Sequence, residues 1–144
     1  MALELGRVNV QDLQVNKYKA LGIGINRRTS TNGAFAVNYS TITQAKDNLT
    51  NLILTRKGER LMLPEFGCDI WKVLFEPIVD EDIQEQIERV IRQDVSTWLP
   101  ELTITRVEVT ADDELKDNNQ LYVSIRFALT SNTRISDELQ ITLQ

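Results

Sequence analysis

The chain has 144 residues, 42% hydrophobic and 26% charged, with a net charge of −5; this suits one globular domain and leaves no room for two of ordinary size. It has no histidine and a single cysteine, which excludes Ser-His-Asp and Cys-His catalysis, histidine-based zinc sites and any internal disulfide. No apolar run approaches the roughly 20 residues of a membrane span, and a start without a basic segment followed by an apolar block predicts no secretory signal.

Residues 1–40 carry five basic and two acidic residues against eleven and nineteen in the rest, so a basic arm precedes an acidic body. The bases are sparse and little interleaved with aromatics, which argues against nucleic acid and fits an arm lying along an acidic partner. "LGIGINRRTSTNGAFAVNYS" has the Gly, Asn, Ser and Thr content of loops and extended chain. Gly22-Ile23-Gly24 lacks the third glycine and preceding strand of a dinucleotide turn, and is predicted to be a flexible connection. The alternation of Phe35, Val37 and Tyr39 predicts a short strand or docked arm.

Ser40 or Thr41 is placed to cap a helix running to about Lys57. Ile42, Ala45, Leu49, Leu52 and Ile53 form its apolar stripe. Lys57 would complement the helix dipole and Gly58 would supply the left-handed residue after the end. A second helix is predicted from about Asp80, where Asp80, Glu81 and Asp82 favour an N-terminus, to Pro100. Ile83, Ile87, Val90, Ile91, Val95 and Trp98 face inward, and Glu85–Arg89 and Glu88–Arg92 make i,i+4 pairs.

Three strands follow. Leu102 and Ile104 alternate with threonines, then the phase slips to Val107 and Val109, which predicts a bulge near Arg106. "ADDELKDNNQ" lacks the glycine and last glutamate of a calcium loop and reads as a solvated turn. Leu121 to Leu129 alternate strictly. "SNTRISDE" reads as a second turn, and Leu139, Ile141 and Leu143 alternate in a closing edge strand. The predicted fold is α+β: two amphipathic helices on one face of a three-stranded antiparallel meander, residues 41–144, behind an extended arm, residues 1–40.

Between the helices lies a corner rich in turn residues, aromatics and acids. Phe66, Trp71, Leu74 and Phe75 are expected to bury apolar area there, while Gly58, Pro64 and Gly67 set the backbone path. Arg60 would brace it against Glu65, Asp69 or Glu76, or reach a partner with its bidentate fork. Paired acids are the raw material of a glycosidase, but acids around a turn are far more often solvated or ion-paired. Cys68 has no base to activate it and is expected to be a core residue. No cofactor and no metal site are expected.

The corner also carries a resemblance. "TRKGERLMLPEFGCDIWKVLFE" is similar to the signature of the baseplate wedge, or sheath-initiator, family of contractile tails: an Arg-Lys-Gly turn, arginine two residues on, Pro-Glu-Phe-Gly-Cys-Asp, then Leu-Phe-Glu. That family takes in the small wedge protein of T-even phages, the W protein of P2-like phages and the TssE subunit of type VI secretion systems. The likeness runs from about residue 40 to the C-terminus. It implies a non-enzymatic part of a virion, assembled in the host cytoplasm and present in six copies per baseplate. Its partners would be the core bundle of other wedge proteins, the tail sheath and the central hub or tube, with no nucleic acid or membrane. The family's Glu-Pro-Arg motif after the second helix is replaced here by Leu99-Pro100-Glu101, with Arg106 as a candidate compensating charge. Arg60, Glu65, Pro100, Glu101 and Arg106, with Leu139, Ile141 and Leu143 of the edge strand, are thus the candidate partner-binding residues. Strand addition at that edge would seed the sheath, and deleting residues 137–144 is expected to leave a folded protein. The alternative is a tail-associated peptidoglycan hydrolase using Glu65 and Asp69.

Overall fold

The computed structural model describes residues 20–24, 37–75, 83–110 and 121–143. Phe35, Glu76, Asp80–Asp82, the 111–120 turn and the side chains of Leu74 and Phe75 lie outside that set, as does most of the arm. Contacts divide the chain at Asn48 into two compact units.

In the first unit, β1 (Gly22–Ile23) pairs antiparallel with β2 (Val37–Asn38). The sequence reading of Gly22-Ile23-Gly24 as a loose connection therefore needs correcting. Two paired residues are too few to register as alternation, and Gly22 is accommodated because a Cβ there would lie 2.3 Å from the Gln44 side chain. Helix α1 (Thr41–Leu54) begins here. Buried Asn38 donates through Nδ2 to Asp47 at 2.6 Å and to Gln44 at 3.1 Å, which satisfies the only buried acid of this unit among the described residues.

The second unit holds the end of α1, α2 (Ile70–Phe75), α3 (Ile83–Trp98), and the sheet β3 (Leu102–Thr110), β4 (Leu121–Leu129) and β5 (Asn132–Leu143) in the order β3-β4-β5. The fold class is α+β, as the alternating and 3.6-period patterns require. Leu49, Leu52 and Ile53 of α1, Ile87, Ile91 and Val95 of α3, and Ile104, Val107, Val123, Ile125 and Phe127 of the sheet are all buried. Helix α3 packs on β3 and on α2.

The bulge falls where the phase slip puts it, between Ile104 and Arg106. A bulge leaves backbone groups unpaired, and Arg92 of α3 donates through Nη1 to the Ile104 carbonyl. Of the two expected helix pairs, Glu88–Arg92 closes at 2.7 Å. On the outer face, Ser124, Arg126 and Gln140 all donate to Glu138. Those bonds hold its carboxyl down to about 2.

Three boundaries differ from expectation. Helix α1 stops at Leu54 rather than Lys57, because Thr55 turns its hydroxyl back onto the Asn51 carbonyl at 2.6 Å and Arg56 leaves to bridge Cys68. Helix α2 has no periodic signature in the sequence, since six residues are too short for a helical period to show. Strand β5 starts at Asn132 rather than near Leu139; its polar residues mimic a turn because one side of this sheet faces water, and Ile135, 4% exposed, anchors the inner side.

Candidate functional site

The corner is a closed loop. Cys68 N–H donates to the Thr55 carbonyl at 2.9 Å and Gly58 N–H to Pro64 at 2.7 Å, drawing a wide ring and a narrower one inside it. Turns at Arg56–Glu59, Arg60–Leu63 and Leu63–Phe66 use further backbone donors, so the segment is structured without being helix or strand. Gly58 and Gly67 both adopt positive φ, +91° and +134°. At Gly67 a Cβ would stand 2.5 Å from the Thr55 carbonyl oxygen, whereas at Gly58 it would meet open space. Gly67→Ala is therefore expected to cost more than the ~1–3 kcal/mol of backbone strain alone. Gly58→Ala should cost no more than that strain. Chemical denaturation midpoints of the two variants check the order.

Aromatic and cationic side chains fill the base of this loop. Phe66 packs edge-on against Trp98 of α3 with centroids 5.3 Å apart. The Arg60 guanidinium lies 3.9 Å from the Phe66 ring centroid and Arg56 lies 4.4 Å from that of Trp71. Arg60 is thus engaged within the chain on the aromatic face of Phe66; of the acids the sequence reading offered it, Glu76 lies outside the described residues. Trp71 Nε1 is buried and has no hydrogen-bond partner among the described residues.

The carboxylates are organised by a residue the sequence reading missed. Asp94, its side chain 7% exposed, accepts from Lys57 Nζ at 2.6 Å and from the Asp69 backbone N–H at 3.3 Å. Lys57 also reaches Asp69 at 2.9 Å, and Lys72 binds the other oxygen of Asp69 at 2.9 Å. Lys57 therefore ties the corner to α3 instead of complementing the end of α1. The signal was present: Asp94 falls on the helical stripe of Ile87, Ile91, Val95 and Trp98, and an acid on a buried stripe demands a cation. Burial pulls the Lys57 ammonium down, but hydrogen bonds and charge from Asp94 and Asp69 outweigh it and hold the group above 10.5. Burial likewise pushes Asp69 up, and its bonds to Lys57 and Lys72 outweigh that, leaving it below 3.8. Burial pushes the Cys68 thiol up to about 12, so it is an inert core residue.

The remaining candidate residues are spread over the unit. Glu65 and Pro64 are exposed on the loop. Leu99 is buried, while Pro100 and Glu101 are exposed on a turn tied to the β4–β5 turn by Thr130 N–H donating to the Glu101 carbonyl at 2.8 Å. Arg106 points outward and pairs with Glu108 at 2.7 Å. Leu139, Ile141 and Leu143 turn their side chains into the core, at 6%, 7% and 1% exposure, so β5 offers a partner only its backbone edge and outer face. Among the described residues no cluster of acids and cysteine suits a metal ion.

These features define an α+β protein with a ring-closed corner between its helices and a three-stranded antiparallel meander. The sequence profile of the family described as baseplate wedge protein gp25 matches residues 42–134. The chain belongs to that family. It is 32% identical over 101 residues to baseplate wedge protein gp25 of Enterobacteria phage T4, covering 68% of this chain and 71% of that one. Its fold is similar to the crystal structure of a putative tail lysozyme from Geobacter sulfurreducens, with a TM-score of 0.62 at 21% identity over 75% of this chain and 94% of the other. It is also similar to a chain of the anti-feeding prophage baseplate, with a TM-score of 0.54 at 17% identity over 83% and 80%. The protein is thus a baseplate component of a phage tail or related particle and works among other baseplate components.

Proposed function

We propose that this chain is a structural, non-enzymatic wedge subunit that clamps the core bundle of the larger wedge proteins around the tube and hub and starts sheath polymerisation at β5. The observation that supports the reading is the position of β5: among the described residues it pairs only with β4, so a strand of twelve residues ends the sheet and presents a backbone edge, on which Arg134 and Glu138 N–H donate to the Asn132 and Asp137 side chains. A sheath terminal strand added there would gain main-chain hydrogen bonds at once. Residues 41–144 form the wedge domain and 1–40 an arm that runs along a neighbour. Six copies assemble per baseplate in the host cytoplasm, and the Pro100-Glu101 turn with Arg106 meets the core bundle in place of the Glu-Pro-Arg chemistry.

Hydrolase chemistry on Glu65 and Asp69 finds little support in their surroundings. A general acid of a glycosidase needs a carboxyl raised by an apolar pocket; Asp69 is lowered by two lysines, and Glu65 stands exposed. Lysines at Ser136 and Thr142, both exposed on β5, should obstruct an incoming strand while leaving the fold intact. Particles carrying Ser136→Lys and Thr142→Lys are expected to contain the wedge subunit yet lack sheath, as seen by electron microscopy. Sheaths of normal length on them would refute strand addition at β5.

A further inference from the structure

The tip of the corner is its least explained part. Leu61 and Met62 are 97% and 96% exposed, and Leu63 is 40% exposed. The bond from Leu63 N–H to the Arg60 carbonyl makes Leu61 and Met62 the two central residues of a turn. Such positions favour Gly, Pro, Asn, Asp and Ser for reasons of backbone geometry and solvation. A leucine and a methionine there gain nothing for this fold, because neither touches the core. Single exposed apolar residues are ordinary, but consecutive ones at the summit of a protruding loop mark a contact surface.

The loop that presents them is built to hold its shape. The Gly58–Pro64 bond closes it, the Arg56–Glu59 turn and a bond from Arg56 N–H to Glu59 Oε2 at 3.0 Å fix one shoulder, and the Arg60–Phe66–Trp98 stack fixes the other. Little ordering remains to be done on binding, so the apolar surface of the tip is free to contribute to affinity.

We infer that Leu61 and Met62 form an apolar plug that seats in a hydrophobic pocket, rimmed by basic side chains, on a different protein of the baseplate. Two observations select that occupant. The plug offers roughly 150–250 Å² of apolar surface, so two copies meeting tip to tip would bury far less than the ~1,200 Å² of a stable pair. It therefore serves as an anchor within a larger contact made with another component. Charge then describes the rim: Glu59, one of whose oxygens accepts from Arg56 N–H, and Glu65 are exposed on either side of the tip, while the Arg60 and Arg56 guanidinium groups are drawn back onto Phe66 and Trp71. The inference rests on the wedge role proposed above but not on β5, since the plug governs entry into the baseplate and β5 what happens after entry.

The double variant Leu61→Ser with Met62→Ser tests it in the intact particle. Its melting temperature should match the parent, since neither side chain is buried, while incorporation into baseplates in competition with the parent chain should fall by roughly a thousandfold, the effect of unburying two such side chains. Incorporation equal to the parent would overturn the inference. A photo-crosslinking phenylalanine analogue at Met62 supplies the second measurement. Crosslinks to an apolar segment of another baseplate protein support the plug; crosslinks only within the chain or to a second copy, or none at all, overturn it. Sheath loss on fully assembled baseplates, the outcome expected of the β5 variant, would not occur here, so failures of the two proposals are told apart.

Discussion

Replacing Asp94 by alanine should lower the melting temperature by roughly 5–10 °C, a large effect for a single side chain. Breaking a buried ion pair by removing one member costs about 3–5 kcal/mol because the other charge is left desolvated. Lys57 is 29% exposed and regains some water when released, which reduces the loss to about 2–3 kcal/mol. Asp69 N–H loses its acceptor in the same substitution. Lys57→Met should cost a comparable amount, now by stranding Asp94, and Lys57→Met with Asp94→Leu should recover part of both losses, as buried pairs replaced by apolar groups do. Additive single losses would show that the two residues do not act as one brace. The pH window follows from the shifts. Asp69 is depressed, so its share is complete above 3.8 and fades as pH falls through its lower folded value; Lys57 is raised, so its share is complete below 10.5 and fades as pH climbs through its higher one. On the alkaline side the Asp94→Ala deficit should thus hold up to 10.5 and shrink as pH climbs through the raised Lys57 value.

This brace also shows what was legible in the sequence. Periodic features survive translation: the stripes of α1 and α3, the strict alternation of β4, and even the bulge, because a slipped phase is itself a periodic signal. The corner announced its glycines and aromatics by type, but not which pairs meet. Phe66 with Trp98 and Lys57 with Asp94 join residues more than thirty positions apart, and no local rule links them. Arg60 illustrates the same gap. The nearby acids made an ion pair the natural expectation, yet the folded loop brings its guanidinium over Phe66. The exposed tip was hidden for another reason. Leu61-Met62-Leu63 reads as core in any hydropathy pattern, and only the turn that turns it outward reveals otherwise.

Deleting residues 137–144 should abolish cooperative folding, contrary to what a separable terminal strand would permit. The segment supplies Leu139, Ile141 and Leu143, which lie opposite Ile125, Val123 and Leu121 across the β4 ladder. Each buried side chain contributes about 1.5–3 kcal/mol; the three together approach the ~5–15 kcal/mol that holds an average domain folded. Seven of the nine residue pairs of the β4–β5 ladder fall between Asp137 and Leu143, so their loss would also leave most of the central strand β4 as an open edge. Far-ultraviolet circular dichroism and limited proteolysis of the truncated chain check this, and a sharp thermal transition with native helix content would contradict it. The consequence for sheath initiation is practical as well as physical. On this fold, the strand proposed to receive the sheath is also a wall of the core, so its inner face is fixed by packing and only its outer edge is free to evolve towards a partner. Truncation therefore removes the subunit along with the site, whereas lysines on the exposed positions of β5 separate docking from folding.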